Sequence, residues 1–172
     1  MEPLKIVNIY IETDFRGPRR QDGTVVYLLE MKTRKGGRAK GAIIPIQETT
    51  EHHMVIAALE EALRRITESC QIELWLSDRY VAGAIEGSLL QQWWIRGWRT
   101  ARNRTVADAD LWESIAGNLS KHVASVHLAE FHEYRLLMQE EIRKHKRDKR
   151  KDKVLIDWSN CDENIKEGEN YG

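Results

Sequence analysis

The sequence predicts an α/β fold, a five-stranded mixed sheet flanked by helices. Three observations predict it. Three β-type segments follow one another near the start, an amphipathic helix and a fourth β-type segment come next, and a late apolar strand precedes a final helix. The order βββαβ, several helices, β, α leaves few layer arrangements open.

The first strand is Leu4 to Ile11, rich in β-branched and aromatic residues and closed by the turn-forming run Arg16-Gly17-Pro18. Thr24 to Met31 gives the second, and Lys35-Gly36-Gly37-Arg38 is a hairpin turn leading into a third at Ala42 to Ile46. Three strands in succession form an antiparallel meander. Thr49-Thr50-Glu51 caps a helix in which Met54, Ala58, Leu59, Ala62, Leu63 and Ile66 recur at helical spacing, up to Ser69. Gln71 to Leu76 alternates Ile72, Leu74 and Leu76 with other residues, a strand parallel to the one before the helix. Asp78 to Leu119 reads as helix interrupted at Gly83, Gly87, Gly97 and Gly117, Val123 to Leu128 as a strand, and Phe131 to Arg150 as the last helix.

A chain of 172 residues with 41% apolar content suits one globular domain. Lys+Arg and Asp+Glu each number 27, so no global charge argues for nucleic acid or membrane, and any such argument must be local. No apolar run approaches the roughly 18 residues that cross a bilayer. The start of the chain does not read as a secretory leader, and the two cysteines, Cys70 and Cys161, read as ordinary thiols. The expected location is cytoplasmic. Eight of the eleven residues from Arg143 to Lys153 are Lys or Arg, which divides the chain into a domain at 1–142 and a charged helical C-terminal extension and tail at 143–172. That extension is either a phosphate-contacting arm or a solvated helix end, and it offers a place for a protein partner.

Four segments carry a resemblance to a known family. Val7-Asn8-Ile9-Tyr10-Ile11-Glu12 with Gly17 looks like a first strand and glycine-bearing turn, and Thr49-Thr50 with Met54 and Ala58 like a threonine-led helix start. Cys70-Gln71-Ile72-Glu73-Leu74-Trp75-Leu76-Ser77 with Tyr80-Val81 looks like a fourth strand and the helix after it. Trp93-Trp94-Ile95-Arg96-Gly97-Trp98-Arg99-Thr100-Ala101, then Val106 and Asp110-Leu111-Trp112, looks like a tryptophan-rich basic protrusion. Over about residues 5 to 142 the chain resembles type 1 ribonuclease H, whose bacterial members grip a hybrid duplex with that protrusion.

The resemblance implies a ribonuclease H-like fold and, in the active family, four carboxylates holding two magnesium ions about 4 Å apart. Laid on the family's pattern, Glu12 takes the place of the first-strand aspartate, Val55 that of the helix glutamate and Ser77 that of the aspartate closing the fourth strand. Asp78 falls one residue late, where a strand side chain points the other way. If His132-Glu133 corresponds to the asparagine-glutamate opening the last helix, Leu136 stands where the last aspartate would. Other placements bring in Glu140 or Glu141. One carboxylate of four remains, and Val55 cannot ligate a metal. Glu51 and His52 stand where the family has two strand-holding asparagines.

The leading expectation is therefore a ribonuclease H-like domain that binds an RNA/DNA hybrid or double-stranded nucleic acid and leaves it intact, with no cofactor. Its contacts are Thr50, Trp93, Arg96, Trp98, Arg99, Arg102 and Arg104, arginines for phosphates and tryptophans for aromatic contact, although some tryptophans would pack the protrusion onto the core. Trp112 reads as core. The alternative is a divergent ribonuclease H using Glu12, Asp14, Asp78 and Glu140 or Glu141 with magnesium or manganese, Glu12 being the metal ligand. A third reading is a protein-interaction scaffold. His52, His53, Glu51 and Asp78 match no zinc spacing.

Overall fold

The computed structural model describes residues 3–33 and 36–159. Its strands are β1 (Lys5–Thr13), β2 (Gln21–Thr33), β3 (Gly36–Thr49), β4 (Cys70–Leu76), β5 (Val123–Leu128) and β6 (Val154–Asp157). The helices are α1 (Glu51–Arg64), α2 (Arg79–Glu86), α3 (Leu89–Ile95), α4 (Ala109–Leu119) and α5 (Arg135–Arg147). The sheet runs β5-β4-β1-β2-β3-β6. β1, β4 and β5 are parallel, and β1-β2, β2-β3 and β3-β6 are antiparallel. The mixed sheet flanked by helices is the expected one, with one correction: among the described residues it has six strands, not five.

The sixth strand comes from the segment read as a charged helical extension. α5 stops at Arg147, and Lys149 turns the chain with φ +52°, so Val154–Asp157 comes back antiparallel to β3. Four residues between charged neighbours are too short a pattern to read as a strand. Next to it Trp158 is buried and donates its backbone N–H to the Ala39 carbonyl at 2.7 Å. Gly41 makes room for it: a Cβ there would lie 1.9 Å from the Tyr27 carbonyl oxygen and 2.7 Å from the Trp158 ring. The boundary expected at residue 142 thus falls inside α5. The last helix also starts later than Phe131, because Tyr134 N–H donates to His132 Nδ1 in a turn before it. Lys35 of the expected hairpin turn, Cys161 and the tail from residue 160 lie outside the described residues.

The period of two along β1 separates two cores. Val7, Ile9 and Ile11 enter the core under α1, α2 and α4, with Ile72, Leu74 and Leu76 of β4. Tyr10 enters the other, with Val26, Leu28, Met138, Ile142 and Trp158 beneath α5. Asn8, Tyr10 and Glu12 therefore share the α5 side of the sheet, and on β4 Ser77 shares it while the next residue turns to the opposite face.

Candidate functional site

Glu12, at the end of β1, is 4% exposed and closed in by α5 and the residues leading into it. Gln139 Nε2 donates to its Oε1 at 2.8 Å, His132 Nε2 lies 3.2 Å from its Oε2 and Arg135 Nε lies 3.5 Å from its Oε1. Arg135 and Gln139 are four apart, so they stand one turn above the other on the same side of α5. Lys146 continues that side, meeting Asp14 at 3.1 Å. Glu12, Ser77, Asp14, Arg16, Arg135 and Gln139 line one cleft, as the sequence predicts for Glu12 and Ser77. Val55 is buried in the first core instead of facing it.

Asp14 shares the cleft of Glu12, and the other candidate carboxylates are engaged elsewhere. Asp14 accepts the Thr24 backbone N–H at 2.9 Å and pairs with Lys146, which ties the β1-β2 connection to the end of α5. Asp78 is the N-cap of α2: its Oδ1 accepts the N–H groups of Tyr80 and Val81, and its Oδ2 meets His52 Nδ1 at 2.5 Å. A carboxylate committed to three partners on the far face of β4 has no reach toward Glu12. Glu140 is one residue past Gln139, so the helix turns it by about 100° into solvent, where it binds Arg143. Glu141 lies 3.9 Å from Lys144, and Leu136 is 83% exposed. Of the carboxylates expected around Glu12, Asp14 shares its cleft, while Asp78, Glu140 and Glu141 are engaged with His52, Arg143 and Lys144. Among the described residues, no three His, Cys, Asp or Glu side chains come together as a metal site.

At the other functional region, α3 and the loop to α4 form the protrusion. Trp93, expected among the ligand contacts, is buried 5.6 Å from the Trp112 ring and anchors the protrusion to the core, the alternative the sequence left open for some of the tryptophans. Trp112 is core, as expected. Trp98 is half-buried against the same core, with φ +65° after Gly97 at +65°, and it stacks edge-on with exposed Trp94 at 5.9 Å. The chain then doubles back. Arg99 bridges Thr105, Thr100 N–H donates to the Arg104 carbonyl at 2.7 Å, and Asn103 takes a left-handed turn at φ +61°. Arg96, Arg99, Arg102 and Arg104 are all exposed, and none has an acidic partner among the described residues. Arg99 donates to the Asn103 carbonyl at 3.2 Å.

Thr50, the third candidate region, caps α1 with its hydroxyl oxygen accepting the His53 N–H at 3.2 Å. It lines a cleft with Arg20, His52, His53, Tyr80 and Asp108. His53 Nδ1 meets Asp108 at 2.8 Å, and this bond raises the imidazole above its ordinary pKa against a smaller opposing effect of burial.

No family model matches the chain. It is 30% identical over 131 residues to the ribonuclease H of Oleidesulfovibrio alaskensis, covering 75% of this chain and 80% of that one. The chain belongs to the ribonuclease H family. The ribonuclease H of Nitratidesulfovibrio vulgaris is 38% identical over 77 residues, which spans only about half, 49%, of its length. Among solved structures, LC9-RNase H1, a type 1 ribonuclease H with the type 2 active-site motif, superposes at TM-score 0.71 with 16% identity, covering 91% of this chain and 79% of that one. The foamy viral protease-reverse transcriptase bound to an RNA/DNA hybrid superposes at 0.54 with 16% identity, over 83% of this chain and 20% of that one. At these identities the two structures share the ribonuclease H-like fold.

Sequence reasoning passed over Arg135 and Gln139, and it placed His132 only at the opening of the last helix. The i, i+4 spacing of Arg135 and Gln139, set against the period of β1, was the signal for that pair. Of the adjacent tryptophans read together with Trp98 as a possible aromatic surface, Trp93 is buried and Trp94 exposed, since neighbours on a helix point to different sides.

Proposed function

We propose that this ribonuclease H-family chain binds double-stranded nucleic acid, an RNA/DNA hybrid foremost, through its protrusion and leaves it uncut by the family's two-metal route. The observation that carries the reading is the four exposed arginines of the protrusion, unmatched by acids and rooted in the core by Trp93. Their charge is free for phosphates, which set register and affinity without reading bases. The foamy viral relative in fold, solved with a hybrid, supports the same ligand class.

The uncut half of the proposal rests on Glu12. The family's two cations need several hard oxygen ligands, but the groups in contact with Glu12 are an amide N–H, an imidazole and a guanidinium, and Asp14 in the same cleft is held by Lys146 and the Thr24 N–H. Arg135 supplies from within the chain the positive charge that a cation would bring, so these residues do not fit the metal pair. Glu12 and Ser77 are then remnants of an ancestral site, and no magnesium or manganese step is assigned to them.

The test is a titration of labelled hybrid and of duplex RNA at several salt concentrations, with magnesium present and cleavage followed in the same samples. The intact protein is compared with the variant in which Arg96, Arg99, Arg102 and Arg104 are alanine. Each phosphate that loses its arginine should lower the log-log salt slope by about 0.9, so about 3 to 4 units for the set. Salt-insensitive or absent binding by the intact protein overturns the binding half and favours a scaffold. Magnesium-dependent cleavage that disappears on Glu12→Gln overturns the other half.

A further inference from the structure

The basic run after residue 142 behaves in the structure unlike a solvated helix end. Five of its cations have acidic partners: Arg143 with Glu140, Lys144 with Glu141, Lys146 with Asp14, Arg147 with Asp148 and Lys153 with Glu61. Lys149, Arg150 and Lys151 have none among the described residues, and all three are exposed.

These three sit on a turn that is pinned at both sides. Arg150 N–H donates to the His145 carbonyl at 3.3 Å and Lys149 N–H to the Lys146 carbonyl at 3.1 Å. Buried His145 reaches the Asp152 carbonyl at 3.2 Å, and on the C-terminal side β6 and Trp158 fasten the chain to β3. Side chains on a fixed backbone lose less freedom on binding than those on a free tail.

The turn lines a groove with Asp14, Asp22, Thr24 and Gln47, and the acids in it are already engaged: Asp22 accepts the Glu48 N–H at 2.9 Å, and Asp14 holds Thr24 N–H and Lys146. Asp14 also lines the Glu12 cleft, and Gln47 the Thr50 cleft, which includes Arg20. The three depressions therefore share walls at Asp14 and Gln47, and among their lining residues the cations without an acidic partner include the basic turn and Arg20.

We infer that Lys149, Arg150 and Lys151 form a second phosphate-backbone contact, which holds the nucleic-acid duplex on the α5 side of the Glu12 cleft while the protrusion holds it on the other. This inference rests on the binding reading above. It assigns the turn a backbone contact independent of sequence, additive with that of the protrusion.

The test uses the full chain with Lys149→Asn, Arg150→Ala and Lys151→Ala together, asparagine being chosen because residue 149 is left-handed. A control carries Arg143→Ala and Lys144→Ala, cations of the same helix already paired. Binding of a labelled hybrid is titrated against salt for these two, the intact chain and the protrusion variant, with thermal melting to confirm that each is folded. The expected result is a slope lower by about 2 to 3 units in the turn variant, a several-fold weaker affinity, and a change of less than about one unit in the control. An unchanged slope in the turn variant, with the protrusion variant still losing its share, overturns this inference and leaves the binding reading intact. An equal loss per charge in the control overturns it as well, by assigning the effect to net charge. Absence of binding by the intact chain overturns both.

Discussion

The cleft at Glu12 and the protrusion both carry functional charge in the ribonuclease H resemblance, and the chain treats that charge in opposite ways. At Glu12 the charge is turned inward: a buried carboxylate meets a guanidinium, an imidazole and an amide from α5 and its lead-in. On the protrusion four arginines stand in solvent with no ion-pair partner among the described residues. A buried carboxylate without partners would be unstable, so Glu12 needs the internal donors that surround it. Exposed arginines need no such compensation and can persist for a ligand alone. The difference teaches that a buried charge is held by donors from within the chain, whereas an exposed one stays available to a ligand.

The largest expected effect lies at the root of the protrusion. Trp93→Ala should lower unfolding free energy by about 3 to 5 kcal/mol, because it empties a buried site against Trp112. Urea unfolding checks it, and a loss below about 1 kcal/mol would return Trp93 to the surface. Next comes Glu12→Gln, expected to destabilise by about 2 to 3 kcal/mol by leaving Arg135 without its counter-charge. A cluster of carboxylates awaiting metal would respond in the opposite sense, since removing one charge there relieves repulsion. A rise in melting temperature would therefore break the contrast between the two regions.

Trp94→Ala sharpens the protrusion side. This ring is 56% exposed, so stability should hardly move, while affinity for a hybrid falls by about 1 to 2 kcal/mol if it contacts the ligand. The smallest effect belongs to His53. Its folded pKa is raised, chiefly by the hydrogen bond to Asp108, so the pair's contribution is complete below about pH 6.5 and is lost as pH rises through the raised value. With the imidazole side chain 37% exposed, that contribution is a few tenths of a kcal/mol. Melting of the intact chain and of Asp108→Asn should differ at about pH 5.5 and converge by about pH 8.5. A gap that widens with pH would reverse the sign and refute the assignment.

Much of the fold was legible because its signals are local. The alternation in β1 and β4, the i, i+4 apolar run of α1 and the threonine cap each specify an element within a short window. The cleft was half legible. Strand parity put Ser77 beside Glu12 and sent Asp78 to the other face, and the structure agrees. Parity could not say that Asp78 would be taken up by His52, 26 residues away, or that Trp93 and Trp94, adjacent in sequence, would fall one inside and one outside.

The sequence by itself determined the family, the order of the first five strands and the identity of the side chains at the ends of β1 and β4, since these follow from residue types at fixed short spacings. Tertiary structure alone decided that a charged segment returns as β6, that Gly41 is left open for Trp158, and that Arg135 and Gln139, more than 120 residues after Glu12, close over it. Such pairings depend on how helix and sheet dock, and docking is settled by summed burial across the whole core rather than by any local pattern.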